Sequence, residues 1–210
     1  MKLTNRILLS LNCIAIIGLA GCAHYRAKPL RSLMATPKPQ ESSIALAYKV
    51  FDANDCIRYL DRNTIAKGYQ PIQIAFTNNT NHLFTILPNS INLPCACAQE
   101  VAERTHTNTV GRAVGYGVAS FVCLPLVVPA LAFGVSAIVD GTGSAKSNER
   151  LDMDFSQKSL RSQSIKPYTT VNGLIFVSCN DFDKNFTLTV VDQTTSESFQ
   201  LSPSSPKLKI

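Results

Sequence analysis

Between Arg112 and Asp140 no residue carries a charge, and nothing else in the chain constrains its folding as strongly. An apolar run longer than about 20 residues is the length signal of a membrane span. As one helix the run 113–139 would reach roughly 40 Å, at about 1.5 Å per residue. Pro125 and Pro129 sit near its midpoint. Each removes a backbone donor and clashes with the preceding turn, so one straight helix is disfavoured. Neither half, 113–124 or 130–139, is long enough to cross alone. Three arrangements remain open: a kinked single span, a re-entrant hairpin with the prolines at its tip, and a water-soluble hairpin buried against the rest of the domain or other subunits. A hairpin is expected, because strand-forming sequence lies on both sides of the run. A span would carry one group of strands away from the partners it needs to bury its faces.

Gly111, Gly115 and Ala119 recur at intervals of four. That places small residues on one helical stripe, where a second helix could approach closely. A run rich in Gly and Ala also produces such spacing by composition alone.

The strand signals form two groups, 43–98 and 161–210. In the first, Ile44, Leu46, Tyr48 and Val50 alternate, as do Ile72, Ile74 and Phe76. Period-two alternation argues for strands with one buried face. Asp52-Ala53-Asn54-Asp55 reads as a turn, and 56–61 as a short turn or helix. Asn78-Asn79-Thr80-Asn81 is a strong turn signal, because Asn tolerates left-handed dihedrals and bonds its own backbone. A third strand follows at 83–87, broken by Pro88-Asn89, with 91–93 as its continuation after a kink. In the second group, 171–177, then Phe186, Leu188 and Val190, then 198–201 continue the pattern. Between the groups, 99–160 reads as a helical insertion holding the apolar run, with polar helices at 99–108 and 147–160. Short strands separated by turns predict a mainly β chain: an antiparallel β-sandwich with an inserted apolar α-helical hairpin.

At the N-terminus Lys2 and Arg6 precede an apolar segment, 7–19, and small residues lead to one cysteine. This is the layout of a secretory signal, too short and wrongly flanked for a stable span. Leu19-Ala20-Gly21-Cys22 resembles the lipobox of bacterial lipoproteins, and all four positions match. The resemblance implies that 1–21 is a signal peptide cleaved before Cys22. It also implies a thioether diacylglycerol on the Cys22 sulfur and an acyl chain on its new amino group. Three chains anchor far better than one, since each buried methylene contributes about 0.8 kcal/mol. Ala23 stands where Asp is associated with inner-membrane retention, so the resemblance favours the outer membrane. The segment 22–42, with Pro29, Pro37 and Pro39, reads as a lipidated tether.

The rest of the chain resembles the immunoglobulin-like domains of bacterial surface lipoproteins. The residues that carry this are the strand 72–80 ending in Asn78-Asn79-Thr80, then Ile165-Lys166-Pro167, Gly173, Leu174-Ile175-Phe176 and Phe186-Thr187-Leu188. Tyr168 departs from the Gly that often follows the proline, and the apolar insertion is a second departure. Such domains mostly bind or space other molecules, and the resemblance transfers no catalytic residue.

The chain holds seven cysteines. Cys13 leaves with the leader, Cys22 is the lipidation site, and Cys123 lies in the apolar run. Cys56, Cys95, Cys97 and Cys179 remain as candidates for disulfides in an oxidising compartment, and at least one bridge among them is expected. Cys95-Ala96-Cys97 lacks the two-residue spacer that usually seats zinc. Loss of the leader lowers the formal charge from +6 to +4, spread along the chain, which makes no nucleic-acid footprint. His24, His82 and His106 stand in no recognisable catalytic context, and Gly141-Thr142-Gly143-Ser144 lacks the rest of a phosphate loop. The expected function is therefore a non-catalytic binding or assembly module without cofactor or metal. It would be held on the outer membrane by acylated Cys22 and partnered by an envelope protein or a second copy of itself. The alternative is a membrane-inserting, oligomerising hairpin protein that forms a pore or remodels membranes.

Overall fold

The computed structural model describes residues 25–33, 44–107 and 144–203. The chain divides into two compact units. One comprises residues 26–105 and 151–210, the other 1–25 and 106–150.

The larger unit is mainly β. Its elements are β1 (Ile44–Val50), α1 (Ala53–Leu60), a 3-10 turn (Ile65–Lys67), β2 (Tyr69–Asn78), β3 (Phe84–Ile91), β4 (Cys95–Ala96), α2 (Ala98–Thr105), residues 151–158 of a helix α3 (144–158), β5 (Gln163–Ile165), β6 (Thr170–Ser178), β7 (Leu188–Asp192) and β8 (Ser198–Leu201). They form two four-stranded antiparallel sheets, ordered β1-β2-β6-β4 and β5-β3-β7-β8. Strands from before and after the insertion are thus interleaved in both sheets. β2 pairs with β6 from Tyr69 opposite Ser178 to Thr77 opposite Thr170.

One apolar core is shared by both sheets. Ile44, Leu46, Tyr48, Ile72, Ile74 and Phe76 enter it from the first sheet, with Phe84, Ile86, Leu188 and Val190 from the second. These are the alternating residues of the strand signals, so the period of two gives the inner face directly. The outer face of the first sheet is covered as well. Residues 26–33, read from sequence as tether, run along it: Gln73 donates to the Arg31 carbonyl at 2.7 Å, and Leu33 N to Asn172 Oδ1 at 2.9 Å. Leu33 packs on Ala47 and Ala75, whose small side chains allow the approach. Phe155 of α3 stacks on Phe176 with centroids 5.5 Å apart.

Three local expectations are corrected. Asp52 to Asp55 is not a turn but the start of α1. Asp55 N donates to Asp52 Oδ1 at 2.7 Å and Asp52 N to Asp55 Oδ2 at 3.4 Å, a reciprocal capping box. The third strand does not stop at Pro88-Asn89: β3 runs on to Ile91, with its register against β7 shifted between Ile86 and Ile91 where a kink was expected. Cys56, Cys95, Cys97 and Cys179 are all free thiols. Cys56 is buried against Thr64 at 3.5 Å, and Cys179 caps the end of β6 with its sulfur 4.0 Å from the Ile65 carbonyl. None of the four is bonded to another of them.

In the smaller unit, Thr107 N donates to Asn148 Oδ1 at 3.0 Å and Asn148 Nδ2 to the Thr107 carbonyl at 3.2 Å. The residues that bracket 108–147 are therefore clasped side by side.

Candidate functional site

At one end of the two sheets, the β2–β3 loop, the 166–169 turn and the β7–β8 loop converge. Asn78 builds this end. Its buried side-chain amide donates to the carbonyls of His82 at 2.8 Å and Lys166 at 3.1 Å. Its Oδ1 accepts from Thr80 N at 2.9 Å and from the Thr80 hydroxyl at 2.8 Å. Thr80 Oγ1 in turn accepts from His82 N at 3.0 Å. This is the Asx-type bonding that the Asn-rich signal predicts, extended here to pin two other loops.

The fixed loop places His82 Nδ1 2.5 Å from Asp192 Oδ2. Asp192 ends β7 and is only 2 % exposed. Its other oxygen accepts from Thr194 N at 2.7 Å and Thr195 N at 3.4 Å. Burial alone would raise this carboxyl's pKa. The His82 bond and the two loop amides overcome that and hold it at about 2. A carboxylate at this position makes His82 Nδ1 the donor, which leaves Nε2 as the free end of the ring. The imidazole also stacks on Phe84, with centroids 6.5 Å apart and planes 19° apart.

These groups border an open hollow of about 500 Å³. Asn79, Asn81, His82, Tyr168 and Glu197 offer polar atoms, and half-buried Phe199 offers an aromatic ring, while Phe84, 2 % exposed, lies beneath His82. Tyr168 is 72 % exposed and held at φ 57. The strained backbone at the departure Lys166-Pro167-Tyr168 thus presents a phenol at the rim. Amides, a phenol, an imidazole and an aromatic ring are suited to hydrogen-bonded and stacked recognition.

The site was not visible as such in the sequence. His82 and Asp192 are 110 residues apart, so no local motif joins them; the Asn78-Asn79-Thr80 signal marks the loop but not its partner. Of the residues singled out from sequence, Cys22, Pro125, Pro129, Gly111, Gly115 and Ala119 lie outside the described residues. Cys95 and Cys97 are exposed around β4, Cys179 is exposed at the end of β6, and none of these borders the hollow. Among the described residues there is no cluster of three His, Cys, Asp or Glu that could hold a metal ion, and no helix long and apolar enough to cross a membrane. No protein-family model matches the chain, and no curated protein matches it.

Proposed function

We propose that the protein is an envelope lipoprotein, anchored through acylated Cys22 to the outer membrane, whose immunoglobulin-like β-sandwich is a non-catalytic binding module. The observation that carries the binding reading is the loop cluster joined by His82 and Asp192. The neighbour orders β1-β2-β6-β4 and β3-β7-β8 correspond to the A-B-E-D and C-F-G sheets of the immunoglobulin fold. On that correspondence His82 lies in the B–C loop and Asp192 opens the F–G loop, two of the loops by which such sandwiches bind. β5, which flanks β3 but follows β4 in the chain, is a departure. The correspondence is fold analogy, and the site's own chemistry has to carry the function. Leu19-Ala20-Gly21-Cys22 after a basic and apolar leader supports the anchor. The partner is an envelope protein or a second copy of the chain, engaged by the polar and aromatic rim of the hollow.

Two measurements test this. Radiolabelled palmitate should enter the native chain and not Cys22→Ala; equal labelling rejects the anchor. A photo-crosslinking residue at Tyr168 should give a discrete adduct in cells, and one at Lys67 should not. The adduct's mass tells a second copy from another protein, and equal adducts from both positions reject the loop cluster as the binding end.

The membrane-inserting reading keeps one specific support, the uncharged run between Arg112 and Asp140. The Thr107–Asn148 clasp favours a hairpin form of it over a single span. Liposome flotation of protein lacking the leader and Cys22 decides: soluble, monomeric protein without lipid affinity excludes insertion.

A further inference from the structure

The segment 26–33 determines where the chain enters the larger unit. Arg26 N donates to Asp61 Oδ2 at 3.2 Å, and Lys28 N to the Arg58 carbonyl at 2.9 Å. Lys158 Nζ secures the same point, donating to the carbonyls of Lys28 at 2.8 Å and Tyr59 at 2.6 Å and to Asp154 at 2.6 Å. The entry point is therefore the C-terminal end of α1. From Cys22 to Arg26 the chain spans four residue steps, at most about 15 Å when fully extended. An acylated Cys22 would leave almost no spacer between the bilayer and α1.

The surface at that point suits a lipid neighbour. α1 buries Cys56, Tyr59 and Leu60 and turns Ile57 outward, 53 % exposed. Arg26, Lys28 and Arg58 are exposed beside it. Of the acids on and around α1, Asp61 is paired with Arg62 at 3.0 Å and Asp55 with Lys49 at 2.8 Å, while Asp52 caps the opposite end of the helix. The exposed guanidinium and ammonium groups thus dominate, and each is attracted to an anionic leaflet. β2 leads from Tyr69, bonded to the Thr64 carbonyl at this end, to Asn78 at the His82 loops. At about 3.3 Å per residue that is roughly 30 Å.

We propose that the face formed by Arg26, Lys28, Ile57 and Arg58 lies against the anionic bilayer surface, with the His82 loops directed away from it. This rests on the acylation of Cys22 proposed above. It converts an anchored domain into an oriented one: the membrane end and the binding end are opposite ends of β2.

The chain has no tryptophan, so a single introduced one reports alone. Full-length acylated Ile57→Trp and Thr195→Trp proteins are placed in phosphatidylethanolamine–phosphatidylglycerol vesicles containing brominated lipid. Emission of Ile57→Trp should shift to the blue and be quenched by the bromines, and Arg58→Glu in that background should reduce the quenching. Emission of Thr195→Trp should be the same with and without brominated lipid. The proposal is overturned if Ile57→Trp is unquenched in protein that floats with the vesicles, if Thr195→Trp is quenched equally, or if Arg58→Glu changes nothing. Mass analysis of the Cys22 peptide in the same sample separates the two levels. An unacylated peptide in protein that does not float removes the anchor and the orientation together. An acylated peptide with unquenched Ile57→Trp removes only the orientation.

Discussion

His82 Nδ1 stands 2.5 Å from Asp192 Oδ2, and this contact joins the β2–β3 loop to the last residue of β7. His82 stands two residues before Phe84, which lies opposite Asp192 in the β3–β7 ladder, so the pair prolongs that ladder into the loop end. Asp192 also holds its own loop, through the amides of Thr194 and Thr195. One carboxylate therefore orients both the imidazole and the β7–β8 connection.

That arrangement makes stability depend on acid. The carboxyl's ordinary value is 3.8 and its folded value about 2. Between these values the unfolded chain binds more protons than the folded one, so stability rises with pH there. The contribution is complete above about 3.8 and is lost as pH falls through about 2. Urea midpoints measured down this range should fall, and Asp192→Asn should flatten that fall. A native slope equal to that of Asp192→Asn would show that the carboxylate contributes nothing.

Gly173 faces Leu160 too closely for any side chain. A Cβ there would lie 2.8 Å from the Leu160 Cα and 3.0 Å from its Cβ and Cδ1. Leu160 N also donates to the Leu174 carbonyl at 2.8 Å, so the backbone cannot simply step away. Gly173→Ala should destabilise the domain by about 1–3 kcal/mol, the range for overpacking a filled site. The check is equilibrium unfolding in urea with an unchanged slope; a midpoint equal to that of the native chain would mean the 159–160 edge yields freely.

The inner faces of the sheets were legible because a strand's period of two is a local property. Ile44, Leu46 and Tyr48, and Ile72, Ile74 and Phe76, enter the core as their alternation requires. The outer faces were not legible. Gln73 and Ala75 are buried where 26–33 lies over them, and no local pattern announces a distant segment that covers a sheet. Asp52 illustrates a different limit: Asp is at home both in turns and at helix N-caps, and the outcome depends on whether Tyr59 and Leu60 find a surface to bury against. Both are buried here. His82 is the clearest miss, since its chemistry depends on a carboxylate that only tertiary structure brings near.

The four thiols should differ in reactivity. Burial pushes the Cys56 thiol up, and the Thr64 hydroxyl offsets this only in part. Desolvation also raises Cys95. Because the thiolate is the nucleophile, native protein treated with iodoacetamide without reductant should be modified rapidly at Cys97 and Cys179, more slowly at Cys95, and at Cys56 only on unfolding. Peptide mass analysis against time reads the order. Cys56 reacting as fast as Cys97 would contradict its burial, and an unmodified Cys179 would reveal a bridge.

Topology gives the most far-reaching prediction. β2 precedes the uncharged run and β6 follows it, yet Ile72 pairs with Ile175 and Ile74 with Gly173 in one sheet. Backbone pairing at about 4.8 Å between strands cannot be made across a bilayer, so the chain must return to the side it left. Asn89 in β3 and Tyr168 before β6 are both exposed and lie on either side of the run in sequence. Single cysteines at Asn89 and Tyr168, in a background lacking Cys56, Cys95, Cys97, Cys123 and Cys179, should therefore share one accessibility to an impermeant maleimide. They should do so in intact cells and again after the envelope is opened. Labelling of one site and protection of the other in intact cells would place β2 and β6 on different sides of a membrane, which no arrangement of these two sheets permits.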